Sequence, residues 1–261
     1  ANFPWPSSLA GAVRTRAMDG RGWDVGLSAA QQADLRAIEV TGPLLARRRG
    51  EALAVYTPRP ADAVLLLDVD RSAIRTYHRL RPEPHPAGTG SDLPAGLWPL
   101  SFRNRVNGKP QPAPAFWPLA DLRAWGEGRS VNWTPADPLP WATEQRTHVG
   151  IDRERMAAEG GRLFQTEGID LGPRRLYADD GSAAYGTDDW LLLAATPERL
   201  APGLITLGGE RRLSWLSVAS AEELAAPASL SASLAQGFAL TLATPGLFSQ
   251  GWRPGWLDDR L

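Results

Sequence analysis

The strongest restriction on the fold comes from two neighbouring segments, residues 147–152 and 159–167, which a short polar stretch separates. Polar and apolar residues alternate in them, which predicts two β-strands, because successive side chains of a strand point to opposite faces. We expect one face of the first strand to pack against a core. The other face is polar and includes a glycine that lets a ligand approach closely. The first face carries Thr147, Val149 and Ile151, and the second carries Arg146, His148 and Gly150.

The second strand begins at Arg162 and follows the same alternation, with Leu163 and Gln165 on one face and Arg162, Phe164 and Thr166 on the other. Phe164 could stack on a nucleobase, as aromatic side chains do in proteins that bind single-stranded nucleic acid. A buried core position is the more ordinary role for a phenylalanine, and it is the one we expect here.

The N-terminal segment, residues 3–14, carries a second candidate site. Ser7 or Ser8 suits the N-cap of a short helix, predicted from Ser8 to Thr15 after Pro6. The hydroxyl groups and unpaired N–H groups at such a helix start could hold a phosphate, although a capped helix with no ligand explains the same residues.

A glycine-arginine loop at residues 207–213 is the third candidate. Gly208 and Gly209 would let backbone N–H groups face an anion, and Arg211 and Arg212 supply positive charge. A tight β-hairpin would also account for the glycines.

Taken in their order along the chain, these three segments resemble motifs of the RAMP superfamily of CRISPR-associated proteins. Within this superfamily they resemble the family of subunit three of the Cmr (type III-B) RNA-guided effector complex. The matching stretches are residues 6–14, 148–167 and 207–212. The resemblance implies an α+β fold of two ferredoxin-like (RAMP/RRM-like) modules with irregular Pro/Trp-rich insertions. The modules would be residues 1–144 and 145–261, the second containing the glycine-rich loop. Family members usually extend further at both ends, so we expect a truncated molecule.

The same resemblance implies a non-catalytic subunit in antiviral defence that binds crRNA and caps its 5′ handle. The lack of cysteine and of a long apolar run favours a cytoplasmic location. It would dock on the large palm-containing subunit and begin the filament of backbone RAMP subunits. The expected RNA-binding residues are Ser7, Ser8, Arg14, His148, Arg162, Gln165, Thr166, Gly208, Gly209, Arg211 and Arg212.

Two other functions remain open. A metal-independent endoribonuclease that processes crRNA would need His148 as one acid–base group and a partner such as Tyr177 or Tyr185. The second open function is that of a protein–protein module with negligible RNA contact. A steep salt dependence of RNA affinity would count against it.

Composition excludes several classes of protein. The net charge of −1 argues against a chain that coats nucleic acid indiscriminately, and the absence of cysteine excludes thiolate metal sites. The three histidines, His78, His85 and His148, are far apart in the sequence, so we expect neither a metal nor a cofactor. No run approaches the roughly 20 apolar residues of a membrane helix, so we expect no membrane contact.

The rest of the chain gives a coarser pattern. Residues 82–118, rich in Pro, Gly and aromatic residues, are expected to form an ordered irregular insertion. Helices are predicted at residues 28–38, 119–125 and 229–236. Strands are predicted at residues 39–46, 63–69, 145–152, 162–171, 189–195, 204–207, 213–219 and 237–244, with a joint between modules at residues 138–140.

Overall fold

The computed structural model describes the chain with several gaps. The described residues are 3–50, 52–68, 74–94, 96–104, 106–132, 141–172, 175–177, 183–185, 188–208, 212–219, 241–246, 248, 251 and 255. The helices are α1 (Pro6–Gly20), α2 (Ala29–Ala37) and α3 (Leu119–Gly126). The strands are β1 (Thr41–Arg49), β2 (Ala52–Pro58), β3 (Ala63–Asp68), β4 (Arg75–Pro82), β5 (Leu100–Phe102), β6 (Gly108–Pro110), β7 (Phe116–Pro118), β8 (Ala142–Asp152), β9 (Ala157–Asp170), β10 (Arg175–Tyr177), β11 (Ala183–Tyr185), β12 (Asp188–Ala195), β13 (Gly203–Leu207) and β14 (Arg212–Leu216). Helices and antiparallel strand pairs occur together, which confirms the predicted α+β class.

The chain divides into two compact units, the first of which comprises Ala1–Val55 and Leu139–Ala226. In this unit β1 lies between β12 and β2. Helix α1 packs on β1 and β13, and α2 packs on α1. One apolar stripe along α1 makes this packing possible, because its members recur at helical spacing. The buried side chains of α1 and β1 are Leu9, Ala10, Ala12, Val13, Ala17, Pro43, Leu45 and Ala46.

The start of α1 differs from the prediction. The helix begins at Pro6 and runs to Gly20, and its N-cap is Trp5, which makes no capping hydrogen bond through its side chain. The expectation that Ser7 or Ser8 caps the helix is therefore wrong. Proline suits the first helical turn because its φ is already helical and it has no N–H group to leave unpaired, so the helix starts ahead of both serines.

The second unit comprises Tyr56–Pro138 and Pro227–Leu261. Its strands form a sheet in the order β5-β4-β3-β6, and side chains of β3 and β4 meet β7 and α3 in one core. The indole of Trp117 packs edge-on against Tyr77 at 4.8 Å and Trp125 at 5.6 Å between ring centroids. The apolar run that predicted a buried strand at residues 63–69 is observed as β3, up to Asp68.

The predicted insertion at residues 82–118 contains three short strands, β5 to β7, among irregular stretches. Trp117 of this segment is buried in the core of the second unit, whereas Trp98 is 54% exposed. The insertion is thus an integral part of this unit, and it also presents an apolar surface to solvent.

Most other predicted elements are observed with shifted ends. Helix α2 starts after Ser28, which forms a reciprocal capping box with Gln31. The predicted turns at residues 119–125 are α3, while β2, β4, β10 and β11 were not predicted. Residues 229–236 lie outside the described part of the chain, and the described residues 241–244 of the last predicted strand are not in a strand.

The sequence predicts ferredoxin-like modules at residues 1–144 and 145–261. That division and the ferredoxin-like topology stay predictions.

Candidate nucleic-acid interface

Strands β8 and β9 form a two-stranded ribbon, and they are called the ribbon below. They pair antiparallel from Ala142 opposite Asp170 to Asp152 opposite Ala157, with an irregularity in register just after Val149. The 11 residues of β8 span about 36 Å at the usual rise per residue of a strand. Among the described elements, no helix or other strand packs along the ribbon.

The ribbon exposes the face that the sequence assigned to a core. Val149 is 42% exposed, Ile151 is 53% exposed and Leu163 is 70% exposed. Phe164, on the opposite face, is 54% exposed, so the expectation that it is a core residue is also wrong. Alternation defines two faces of a strand, but burial requires a second layer, and no described element supplies one here. In β8 the polar face is the more covered of the two.

His148 is held in place on that polar face. Its ring stacks on Phe164, with centroids 5.2 Å apart and an angle of 14° between the planes. A hydrogen bond of 2.9 Å joins His148 Nε2 to the hydroxyl of Thr166. The pair presents a partly exposed aromatic surface whose orientation is fixed by the strand register, because His148 lies directly opposite Phe164.

Arg162 and Gln165 occupy different faces of the ribbon, as the alternation predicted. Arg162 pairs with Glu159 at 2.9 Å. Its aliphatic part lies over Gly150, where a side chain on the glycine would collide with it. The amide of Gln165 donates a long hydrogen bond of 3.5 Å to the hydroxyl of Thr147, on the face away from His148.

The end of the ribbon away from its turn, called its base below, contacts Arg212, the first residue of β14. Arg146 Nε donates to one carboxylate oxygen of Glu144 at 2.6 Å, and Arg212 Nη1 donates to the other at 2.6 Å. These two hydrogen bonds, that from Arg146 first, hold the pKa of Glu144 below its usual value. Gly168 lies opposite Glu144 in β9, and a methyl group on it would overlap the guanidinium of Arg212.

The sequence offered two interpretations of the glycine-arginine segment, an anion-binding loop and a tight β-hairpin. In the structure the strands on either side of it pair as a hairpin. Leu207 pairs with Arg212, and Ile205 pairs with Ser214. Gly208 has φ of +76°, a conformation that glycine adopts without strain. Gly209 and Arg211 lie outside the described residues. The hairpin places Arg212 against the ribbon through Glu144, which joins two of the three sequence motifs.

The third motif lies on α1. Ser7 is exposed and Ser8 is half-buried in the first turn of this helix. The guanidinium of Arg14 donates to the carbonyl oxygens of Arg36 at 3.2 Å and Ile38 at 3.0 Å, so it satisfies acceptors at the end of α2. This contact stabilises the α1–α2 pair.

The structure therefore brings together one group of the predicted RNA-binding residues. His148, Arg162 and Thr166 share one face of the ribbon, and Arg212 reaches its base. In the described part of the chain, Ser7, Ser8 and Arg14 make no hydrogen bond or ion pair to the ribbon.

Sequence reasoning did not single out Glu144 and Gly168. A signal for Glu144 was present, because residues 144, 146 and 148 fall on the same face of one strand. The closeness of Gly168 to Arg212 had no such signal, since it depends on how the β13–β14 hairpin is placed.

Other kinds of site find little support in the described residues. No group of three or more His, Asp or Glu side chains there could hold a metal ion. No helix among them is long and apolar enough to cross a membrane. Tyr177 and Tyr185 lie in the paired strands β10 and β11, and their side chains are outside the described part of the structure.

Comparison with known proteins assigns the chain to a family. No curated protein matches the sequence. The model of one family, described as CRISPR-associated protein (Cas_Cmr3), matches residues 1–261. This match spans the whole chain, including the three segments on which the resemblance was based. The protein therefore belongs to the Cas_Cmr3 family of CRISPR-associated proteins and is a subunit of the Cmr type III-B kind.

Proposed function

We propose that this subunit binds crRNA without cleaving it and caps the 5′ handle within the Cmr effector complex. Family membership supports a place in a multisubunit effector complex. The observation that carries the RNA-binding role is the polar face of the ribbon, where the His148–Phe164 stack occurs together with Arg146 and Arg212.

The chemistry of this face suits single-stranded RNA. Unpaired bases stack on aromatic side chains, and Phe164 offers a partly exposed ring backed by His148. Arginine forks bind phosphate oxygens in pairs. The ribbon provides both kinds of group along one strand, which matches the repeating base and phosphate of an extended RNA strand.

The net charge of −1 restricts how binding occurs. A chain this close to neutral has little general attraction for RNA, so binding depends on local arginines and on the partner subunits. Ser7, Ser8, Arg14, Gln165, Gly208, Gly209 and Arg211 are the further contacts that we propose beside the ribbon. The two ferredoxin-like modules belong to the same proposal.

Docking on the large palm-containing subunit and on the backbone RAMP subunits requires apolar surface outside the RNA site. Trp98 and Leu100 of the insertion at residues 82–118 are each more than half exposed. Exposed aromatic residues of this kind are common anchors in protein interfaces. The tail at residues 252–256 carries two more tryptophans and is a second candidate, although nearly all of it lies outside the described residues.

Binding of labelled crRNA tests the RNA-binding role, measured in complex with the large subunit. We expect Arg212→Ala to weaken binding of RNA with the 5′ handle by about tenfold, the effect of one lost charge-assisted contact. RNA without the handle should bind the wild type and the variant equally. Arg36→Ala, an exposed arginine on α2, makes the same change in charge and should have little effect. Equal affinities for Arg212→Ala and the wild type would rule out this RNA surface.

A metal-independent endoribonuclease is the second candidate. Its support is the fixed position of His148, which is hydrogen-bonded to Thr166 and stacked on Phe164, as a general base would need to be. Cleavage of repeat RNA by the wild type in a chelator, lost in His148→Ala, would establish it. Absence of cleavage in both forms removes the enzyme and leaves the scaffold.

A further inference from the structure

Glu144 joins two arginines that come from different parts of the chain. Each carboxylate oxygen accepts one guanidinium N–H at 2.6 Å, from Arg146 on the same strand and from Arg212 at the start of β14. Two guanidinium groups repel one another, so a carboxylate between them is what keeps them side by side. A phosphodiester likewise shares one negative charge between two non-bridging oxygens, and it is a suitable ligand for two adjacent guanidinium groups.

Gly168 makes a separate contribution to the same arrangement. It pairs with Glu144 across the ribbon, and the guanidinium of Arg212 lies over its Cα. All the nearest atoms that a methyl group at this position would meet belong to the guanidinium of Arg212. Any larger residue would therefore displace Arg212 and leave the strands in place, because the end of an arginine side chain moves easily.

We propose that Glu144 is a positioning residue that holds Arg146 and Arg212 as a pair for one phosphate of the crRNA, and that Gly168 provides the space for Arg212. The inference rests on the proposed RNA-binding function and names a phosphate subsite within it. The subsite lies at the base of the ribbon, on the face that carries His148.

The charge of Glu144 makes the inference testable, because a positioning role and simple charge attraction predict opposite changes in RNA affinity. Removing a carboxylate raises the net charge by one, and simple attraction to RNA would then increase affinity. A positioning role predicts the opposite, because the arginines move apart when the carboxylate is lost. Glu144→Ala should thus weaken binding of handle-bearing RNA by about tenfold although it makes the protein more positive.

Two further variants serve as comparisons in the same binding assay. Glu154→Ala, in the exposed turn of the ribbon, makes the same change in charge away from the arginine pair and should leave affinity unchanged or raise it. Gly168→Ala leaves the charge unchanged and displaces Arg212, so its affinity should fall about as far as that of Arg212→Ala. Its thermal unfolding should match that of the wild type.

The outcomes separate this inference from the function on which it rests. Loss of affinity in Glu144→Ala and Gly168→Ala, with none in Glu154→Ala, supports the subsite. Tighter binding by Glu144→Ala, or an unchanged Gly168→Ala beside a weakened Arg212→Ala, would overturn the subsite alone. An unchanged Arg212→Ala would overturn the RNA-binding function of this surface as well. Variants that lose a partner subunit and keep full RNA affinity would show that the arginines bind an acidic protein surface instead.

Discussion

Replacing Phe164 by leucine tests whether the ribbon binds RNA bases. Phe164 is 54% exposed, and its ring stacks on the ring of His148 with the centroids 5.2 Å apart. Leucine keeps an apolar side chain of similar size but has no aromatic face. Loss of the aromatic pair should cost about 0.5–1.5 kcal/mol of local stability. Loss of one stacked base should cost about 1–3 kcal/mol of RNA affinity, or roughly 5- to 150-fold.

The assay is equilibrium binding of handle-bearing crRNA to the complex with the large subunit, at one fixed salt concentration. Thermal unfolding of each variant shows whether the fold is preserved. Leu163→Ala, on the opposite face of the same strand, is the matched control and should bind RNA like the wild type. An unchanged affinity for Phe164→Leu would refute base stacking on this face. An equal loss in Leu163→Ala would show that the ribbon as a whole is perturbed.

Three further predictions concern stability and pH. Trp117→Ala should destabilise the second unit by about 3–5 kcal/mol, because this side chain is buried between two other rings, and denaturant unfolding measures the loss. Arg14→Ala leaves carbonyl groups at the end of α2 without their donor and should speed amide hydrogen exchange in that helix. Unaltered exchange would contradict a stabilising role of Arg14 at the end of α2. The pKa of Glu144 lies below the ordinary 4.5, so its pairing with Arg146 and Arg212 is fully present above pH 4.5 and is lost as pH falls through the lower folded value. An NMR titration of the Glu144 carboxyl should show this depressed midpoint, and Arg212→Ala should raise it.

Local patterns accounted for much of the secondary structure. The capping box of Ser28 and Gln31, the apolar run of β3 and the alternation of β8 and β9 each depend on residues a few positions apart. Strand β4 was missed for the converse reason. Its sequence is mainly charged and polar, and its one buried residue, Tyr77, is recognisable as core only once β3, β7 and α3 are assembled around it.

The faces of the ribbon show the limit of pattern reasoning at the site. Alternation correctly separated Leu163 and Gln165 from Phe164 and Thr166. It could not state which face is covered, because burial depends on a second layer that the strand sequence does not encode. The apolar residue Val149 and its neighbours are therefore exposed where a core was expected.

The sequence was sufficient to identify the family, through three ordered motifs, and to predict the strands that carry His148 and Phe164. It placed Arg212 in a loop, whereas Arg212 is the first residue of β14. The contact of Arg212 with Glu144, 68 positions earlier in the chain and over the space left by Gly168, depends on the folded structure. The two kinds of feature differ in the distance along the chain over which they act. Strand alternation and helix caps arise from neighbouring residues, whereas the position of the β13–β14 hairpin depends on its packing against α1, which no local pattern specifies.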